Sequence, residues 1–381
     1  MASTSVVFPL LAALQDEHHL PTAGIGVIAA GPFFAAVAVQ LGLAHLADRG
    51  GARRLMVAGI VLASASLFGM AAGRSLWQFV LARSLAGLAL GVFLPAARAT
   101  AAGSVEGEHA HGLGRLSSAE LAGLVAGPAV GAAIAAVAGV VTAFLAVGVA
   151  GLVVAVFIGR HLPNGVDGAE GSAPALLRPA GRGFAAFAGN RNAGAAILLI
   201  VAIEYPVGMF EATWARYLVD RGASSLFVGL SAATFGLPFI LLAAGGGRVA
   251  DRIGPARAAA LASLVVAPII AAYSVPHRPG LIVSLAVLEA CFQAIAIPAA
   301  RAAMVAASPP DGVAAGQGLA GAVGLFATGV AALVTPAVYT AGGAVAMCTS
   351  VAAVVVVMVI GALMLGPSVR PAARPVAEMN T

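Results

Sequence analysis

The sequence predicts an all-α membrane protein with twelve transmembrane helices in two pseudo-symmetric six-helix bundles, the first helix being truncated. Three observations lead to this fold class. Hydrophobic residues make up 61% of the 381 residues and charged residues only 9%, which is too few polar groups to cover a soluble surface. The apolar residues form runs of roughly 20, the length of a helix that crosses the hydrocarbon core. Motifs of the first half also recur in the second half.

The repeat is visible in two motifs that share one register. The first is a set of charged residues and glycines present in each half: Asp48, Arg49, Gly51 and Arg54, and then Asp251, Arg252, Gly254 and Arg257. The two copies are 203 residues apart (251 minus 48). The second motif, at residues 95–99, recurs at the same offset at residues 298–302. Two independent motifs in one register indicate an internal duplication.

The apolar runs define the helices and the domain boundaries. They lie near residues 4–15, 22–46, 54–73, 76–102, 114–137, 140–160, 192–218, 224–248, 256–274, 279–306, 313–338 and 342–366. We therefore predict two six-helix bundles at residues 1–160 and 192–366, a polar linker at 161–191, and a tail at 367–381. The first run is about half as long as its counterpart in the second half, so we expect either a late start codon or a tolerated stub.

The arginines predict the orientation in the membrane. Fifteen of the twenty, counted against this helix pattern, fall on the side that carries the linker and both chain ends. Arginine-rich loops lie in the cytoplasm. We expect a multi-pass protein of the plasma (inner) membrane with both termini cytoplasmic and the lipid bilayer as its surroundings.

Several classes of function are excluded by what the sequence lacks. The arginines form no basic tract and have no aromatic platform beside them, so we expect no nucleic-acid partner. Cys291 and Cys348 show no metal or disulfide spacing, and His18 and His19 sit in a short polar loop without a ligand pattern. No nucleophile motif or nucleotide-binding loop is present. We expect no catalytic residues, metal or cofactor, and not an enzyme.

Four carboxylates within the apolar runs are the main candidates for a functional site: Glu120, Glu204, Glu211 and Glu289. Ionisable residues in membrane helices are costly and commonly mark transport pathways. Glu204 and Glu211 are seven residues apart and share a helix face, while Glu289 and Gln293, four apart, form a second polar face. A carboxyl group in a cavity of low dielectric resists ionisation and can exchange a proton.

Simpler interpretations of two of these residues stay open. Glu211 could pair with Arg216 near the outer surface, and Glu120 could pair with Arg115 near the inner one, since residues at the boundary reach water. Arg83 is the one arginine deep inside an apolar run. Because it stays charged, it needs a carboxylate, a carbonyl group or a water-filled cavity. One interpretation of Arg83 is a static structural anchor.

The loop at residues 48–54, Asp-Arg-Gly-Gly-Ala-Arg-Arg, resembles the loop between helices 2 and 3 of the major facilitator superfamily. The family pattern opens with a glycine where this chain has Ala44, and Ala52 replaces its first arginine after Gly51. The resemblance implies that Asp48 meets the N-terminus of a helix in the other half and so latches one conformation of the gate.

Two further motifs resemble that family. Residues 79–87, with Arg83 four residues before Gly87, are similar to its helix 4 motif, in which the arginine is thought to assist proton movement. Residues 120–131 resemble the helix 5 motif of its twelve-helix drug/proton antiporter branch. That segment carries a stripe of small residues and a kink that suit an interface between moving halves: Gly123, Gly127, Pro128 and Gly131.

The resemblance implies a secondary active transporter that works by alternating access. We predict proton-coupled efflux of a small organic molecule by a functional monomer, with the substrate and protons as its ligands. The export direction depends on the helix 5 motif. The alternatives are a proton-linked importer of a nutrient or metabolite with the same fold, and a sensor or assembly factor that has lost transport.

Overall fold

The computed structural model describes residues 1–42, 51–103, 109–162, 187, 189–309 and 312–366. Within these ranges all regular secondary structure is helical. Nine of the described helices are long and apolar enough to cross a membrane. The chain is therefore an all-α, multi-pass membrane protein, as the sequence predicts.

The helices follow the predicted apolar runs closely. Two short helices, Ala2–Ser5 and Leu11–Glu17, flank the 3-10 turn Phe8–Leu10, and we call this N-terminal segment α1. The later helices are α2 (Thr22–Gly42), α3 (Ala52–Ala72), α4 (Leu76–Gly103), α5 (His109–Ala138), α6 (Val140–His161), α7 (Arg191–Val219), α8 (Ser225–Ile253), α9 (Pro255–Ala272), α10 (Pro279–Ala307) and α11 (Val313–Leu365).

Two places differ from a simple count of twelve spanning helices. The N-terminal segment is a series of short helical pieces, and Pro9, which lacks a backbone N–H, lies at the start of its central turn. The two last predicted helices form one stretch, α11, whose break is at Gly343, with φ of 67°. A positive φ is accessible to glycine without strain. The count of twelve stays a prediction.

The buried apolar residues form two clusters that divide the chain near its middle. One cluster comes mostly from α7 to α11, and the other mostly from α1 to α6. The N-terminal segment contributes to both: Leu10 and Leu11 belong to the first-half cluster, while Phe8 and Ala12 belong to the second-half cluster. It therefore lies where the two sets of helices meet.

Close approach of small residues joins the two sets of helices in two places. On α2, a Cβ on Gly26 would lie 2.8 Å from the carbonyl oxygen of Ala332 in α11. On α8, a Cβ on Gly229 would lie 2.7 Å from the carbonyl oxygen of Pro128 in α5. Helices in a membrane approach this closely only where side chains are absent or very small. These contacts fix the spacing of α2 against α11 and of α5 against α8.

Candidate functional site

Arg83 and Glu211 form an ion pair between α4 in the first half and α7 in the second. The distance from Nη2 of Arg83 to Oε2 of Glu211 is 3.8 Å. The arginine side chain is 1% exposed and the glutamate side chain 24% exposed. The predicted need of Arg83 for a carboxylate is therefore met by Glu211, on the other side of the boundary between the two clusters.

The N-terminal segment completes the surroundings of Arg83. Its Nη1 donates a hydrogen bond of 2.9 Å to the backbone carbonyl oxygen of Thr4. Its Nε and Nη2 atoms are buried and have no hydrogen-bond partner. The 3.8 Å separation from Glu211 is too long for a hydrogen bond. The guanidinium group is thus held by one hydrogen bond and by charge attraction.

Glu204 lies about two turns before Glu211 on the same face of α7 but has a different partner. Its Oε1 is 3.6 Å from Nη2 of Arg301 on α10. The two charged groups border a small pocket whose other walls are apolar: Ile200, Ile203, Ile297, Ala300 and Ala320. A Cβ on Gly324 would lie 3.1 Å from the Glu204 side chain, so this glycine leaves room for the carboxylate. The pocket combines opposite charges with an apolar wall, and its volume of about 10 Å³ in this conformation is room for about one water molecule.

Glu289 and Gln293 belong to a third, fully buried group in the second half. Glu289 is 0% exposed. Its Oε2 accepts a hydrogen bond from the hydroxyl of Tyr273 at the end of α9, and its Oε1 accepts one of 3.2 Å from Nε2 of Gln293. The hydroxyl of Tyr217 on α7 in turn donates to the backbone oxygen of Tyr273. These bonds connect α7, α9 and α10.

The simple pairing of Glu211 with Arg216 is wrong. Arg216 instead binds two aspartates: its Nη1 is 2.6 Å from Asp16 in α1, and its Nε donates a bond of 2.7 Å to Asp220. Asp220 also accepts a hydrogen bond of 2.8 Å from the hydroxyl of Tyr339. We call Asp16, Arg216, Asp220 and Tyr339 the outer network. The sequence did not indicate it, because residues 16 and 216 are related only through the fold.

The fourth candidate carboxylate, Glu120, lies on α5 and is partly buried. Its proposed partner Arg115 has a side chain outside the described part of the structure. The pairing of these two residues therefore stays a prediction.

The glycine stripe of α5 packs against the N-terminal segment. A Cβ on Gly123 would lie 3.1 Å from the backbone nitrogen of Ala2, and the Ser5 hydroxyl donates a hydrogen bond of 3.3 Å to the Gly123 carbonyl. The glycines at 127 and 131 face Ser5 and Val6 in the same way. The contact with α8 is made from the adjoining face of α5, by Pro128. The stripe thus holds α1, and its neighbour Pro128 meets the other half.

The repeated charged loops are only partly described. Asp48 and Arg49 lie outside the described residues, while Gly51 directly precedes α3 and Arg54 lies in its first turn. Asp251, Arg252 and Arg257 are exposed, near the junction of α8 and α9. Gly254 forms that junction with φ of 92°, a conformation that favours glycine. Gly51 has φ of −55°, so only the second glycine is required by its backbone conformation.

Among the described residues no group of three or more potential metal ligands comes together. Cys291 and Cys348 are both free thiols. In the described ranges, the chemistry available at the helix interfaces is therefore that of carboxylates, arginines, tyrosines and amides.

The apolar helices with charged pairs between them define a polytopic membrane protein. A family model described as Major Facilitator Superfamily matches residues 1–213. The chain belongs to the Major Facilitator Superfamily and is a membrane transporter. No curated protein matches the chain.

Solved structures with the same fold include three transporters. A point variant of the nucleoside transporter NupG superimposes with a TM-score of 0.78 at 16% identity, covering 96% of each chain. A bacterial homologue of the human lysosomal transporter Spinster, inward-facing and unoccupied, gives 0.77 at 17% identity, covering 96% of this chain and 92% of that one. The human organic anion transporter MFSD10 gives 0.62 at 19%, covering 95% of each. At these identities the likeness establishes the fold alone.

Proposed function

We propose that this transporter exports a small organic molecule in exchange for protons, by alternating access between two six-helix bundles at residues 1–160 and 192–366. The observation that carries the proposal is the Arg83–Glu211 pair, which joins the two halves through a buried charge. A static protein gains little from such a pair, since desolvation offsets most of the attraction. A small net energy suits a pair that separates and re-forms as the bundles move, because little free energy is lost when the pair breaks.

Two features support the division into two bundles. Each half has its own apolar cluster, and the contacts between halves use small residues such as Gly26 and Gly229. Small residues form smooth surfaces without interlocking side chains. Two separately packed bundles that touch through smooth surfaces can rock with little loss of apolar contact.

The substrate pocket is proposed to lie beside Glu204 and Arg301. Apolar walls and a pair of opposite charges suit an organic molecule with both apolar and polar parts. Glu211, further along α7, and Arg83 on α4 would line the same cavity. The proposed proton sites are the interior carboxyl groups, which become charged or neutral as the cavity faces one side or the other.

Export, rather than import, is supported by the α5 motif around Gly127 and Pro128, which resembles that of the antiporter branch. A proton-linked importer would use the same helices and the same charged pairs. The direction of proton movement on adding substrate separates the two: export in exchange for protons moves substrate and proton in opposite directions, whereas linked import moves them together.

We further propose the plasma membrane as the location, with both termini cytoplasmic and a functional monomer. The arginine distribution supports this orientation. A cysteine is introduced by Arg257→Cys in a chain in which Cys291 and Cys348 have been replaced. A membrane-impermeant thiol reagent should label this cysteine only after the cell membrane has been permeabilised. Labelling from outside an intact cell contradicts the orientation.

The decisive experiment uses inverted membrane vesicles with an imposed pH gradient. Compounds are first selected by their greater toxicity to a strain that lacks the protein. Adding a selected compound to energised vesicles should release protons from the lumen. Glu204→Gln and Glu289→Gln should abolish that release at normal expression, while Glu17→Gln, at the exposed end of the short helix Leu11–Glu17, should not. Normal exchange in both interior variants would reject these coupling sites.

A further inference from the structure

Among the interior carboxyl groups with described partners, Glu289 differs in its surroundings. Glu204 lies near Arg301 and Glu211 near Arg83. The hydrogen-bond partners of Glu289, by contrast, are the neutral groups of Tyr273 and Gln293. Its side chain is also fully buried, whereas Glu204 and Glu211 are each 24% exposed. A buried carboxylate without a cation beside it is the costliest kind of charge to keep in a membrane protein.

The hydrogen bonds around Glu289 lack one donor. Glu289 and Gln293 together have three side-chain acceptors, the two oxygens of Glu289 and Oε1 of Gln293. Tyr273 and the amide nitrogen of Gln293 serve the first two. Oε1 of Gln293 is buried without a partner. A protonated Glu289 can donate to this oxygen when the Gln293 amide rotates, and the amide nitrogen then gives up its bond to the carboxyl group. The ionised and protonated forms of Glu289 therefore favour opposite orientations of the Gln293 amide.

We propose that Glu289, with Gln293 and Tyr273, is the proton-binding site of this transporter, and that Glu204 and Glu211 serve the substrate cavity instead. A hydronium ion gives its proton to one Glu289 oxygen and leaves as water, and the side chain changes from an anion to a neutral acid. This inference deepens the proposed function by assigning proton binding to one of its candidate groups.

Titratable groups near Glu289 come from three neighbouring helices, α7, α9 and α11. Tyr273 contributes the titratable group at the end of α9, Tyr217 stands behind it on α7, and Cys348 is buried on α11. The cation associated with this cluster is Arg221, whose guanidinium carbon lies 3.9 Å from the centre of the Tyr217 ring. It donates to the backbone oxygens of Tyr217 and Pro276, so it is held at the helix ends and not at Glu289.

Protonation would be transmitted to the helices through Tyr273. A hydrogen bond to a carboxylate is about twice as strong as one to a neutral acid. Proton binding therefore weakens the bond from Tyr273 to Glu289, which links α9 to α10. Tyr217 ties the same tyrosine to α7, and α7 carries both Glu204 and Glu211. The proton site thus communicates with the substrate cavity through one short chain of contacts.

Infrared difference spectroscopy of the purified protein in liposomes, titrated without substrate, tests the site. We expect a protonated-carboxyl band that appears as the pH falls, together with a change in a tyrosine C–O band. Glu289→Gln should remove both signals. Glu204→Gln, Glu211→Gln and the exposed surface variant Glu17→Gln should keep both. A carboxyl band that survives in Glu289→Gln, or disappears in Glu204→Gln, overturns the proposal.

A second variant covers the case in which Glu289→Gln does not fold, as judged by size-exclusion chromatography. Tyr273→Phe keeps the carboxyl group and removes one of its hydrogen bonds, so the carboxyl band should shift in frequency and the tyrosine change should vanish. An unshifted band overturns the proposal. The titration uses no substrate and is independent of transport. If the vesicle exchange experiment fails while the titration shows both bands, proton-driven export is rejected and the assignment of the proton site is retained.

Discussion

Arg83 illustrates the cost of burying a charge in a membrane bundle. Its side chain is 1% exposed, and its nearest compensation is a carboxylate at 3.8 Å and one carbonyl group. Removing only one member of a buried ion pair is more damaging than removing both, because the remaining charge stays buried without a partner. The pair is therefore suited to a test by a double-mutant cycle.

Glu211→Gln should destabilise the protein by roughly 3 kcal/mol, the lower end of the range for a buried charge that loses its partner. The combined variant Arg83→Met with Glu211→Gln should recover much of that loss. Thermal unfolding in detergent measures both, with Glu17→Gln as a surface control. A double variant that is less stable than Glu211→Gln contradicts the pairing.

At this scale the sequence indicated which charged residues lie within the helices but not which residues pair. Arg83 stood out because it interrupts an apolar run, and the interior glutamates stood out for the same reason. The pairing of Arg83 with Glu211 joins residues 128 positions apart (211 minus 83), and no local pattern records such a contact. The nearer arginine, Arg216, was the wrong partner because Asp16 and Asp220 are closer to it.

At the scale of helices, the glycines of α8 provide a matched pair of positions. A Cβ on Gly229 would lie 2.5 Å from the Cβ of Ala132 and 2.7 Å from the carbonyl oxygen of Pro128, both on α5. A Cβ on Gly247 in the same helix meets nothing within 4 Å. Both glycines lie within the helix α8. They differ in that α5 contacts Gly229, whereas the space beside Gly247 is open.

Gly229→Val should therefore separate α8 from α5, lower stability by about 1–3 kcal/mol, and slow substrate exchange. Gly247→Val should leave the exchange rate unchanged, apart from the small helix-propensity effect. Thermal unfolding and vesicle transport of the two variants give the comparison. Equal transport by both would show that the α5–α8 contact has no part in the cycle.

The sequence predicted most helices from apolar length alone. The run at 140–160 became α6 (Val140–His161), and the run at 279–306 became α10 (Pro279–Ala307). It predicted the glycine stripe on α5 but not its neighbour. Small residues specify that something approaches closely, and they do not specify whether it is α1 or α8. The interruption of α1 near Pro9 lay within a run too short to analyse by periodicity.

At the scale of the whole molecule, the outer network connects the two halves at one end. Asp16 belongs to α1, Arg216 and Asp220 lie at the end of α7, and Tyr339 belongs to α11. Opening of that end requires the bond between Asp16 and Arg216 to break, while Asp220 and Tyr339 remain together in the second half. The network therefore favours the state in which this end is closed.

The contribution of the Asp16–Arg216 ion pair to the closed state can be estimated from the solvent exposure of the two side chains. Asp16 is 60% exposed and Arg216 25% exposed, so the pair is worth about 0.2–1 kcal/mol, the range for pairs in contact with water. Asp16→Asn should shift the ratio of open to closed states by up to about five-fold. High salt should produce a similar shift in the unsubstituted protein, because it screens exposed charges.

Spin labels on opposite sides of that end measure the shift. Ser75→Cys and Leu226→Cys, in a chain with Cys291→Ala and Cys348→Ala, place one label at the start of α4 and one near the start of α8. Double electron–electron resonance should show a larger long-distance population in Asp16→Asn than in the parent. The population should be equal or larger in Arg216→Gln, which loses its ion pairs with both aspartates. Glu17→Gln, the adjacent exposed residue, should match the parent. If Asp16→Asn also matches it, or Glu17→Gln shifts as far, the outer network does not hold the two halves together.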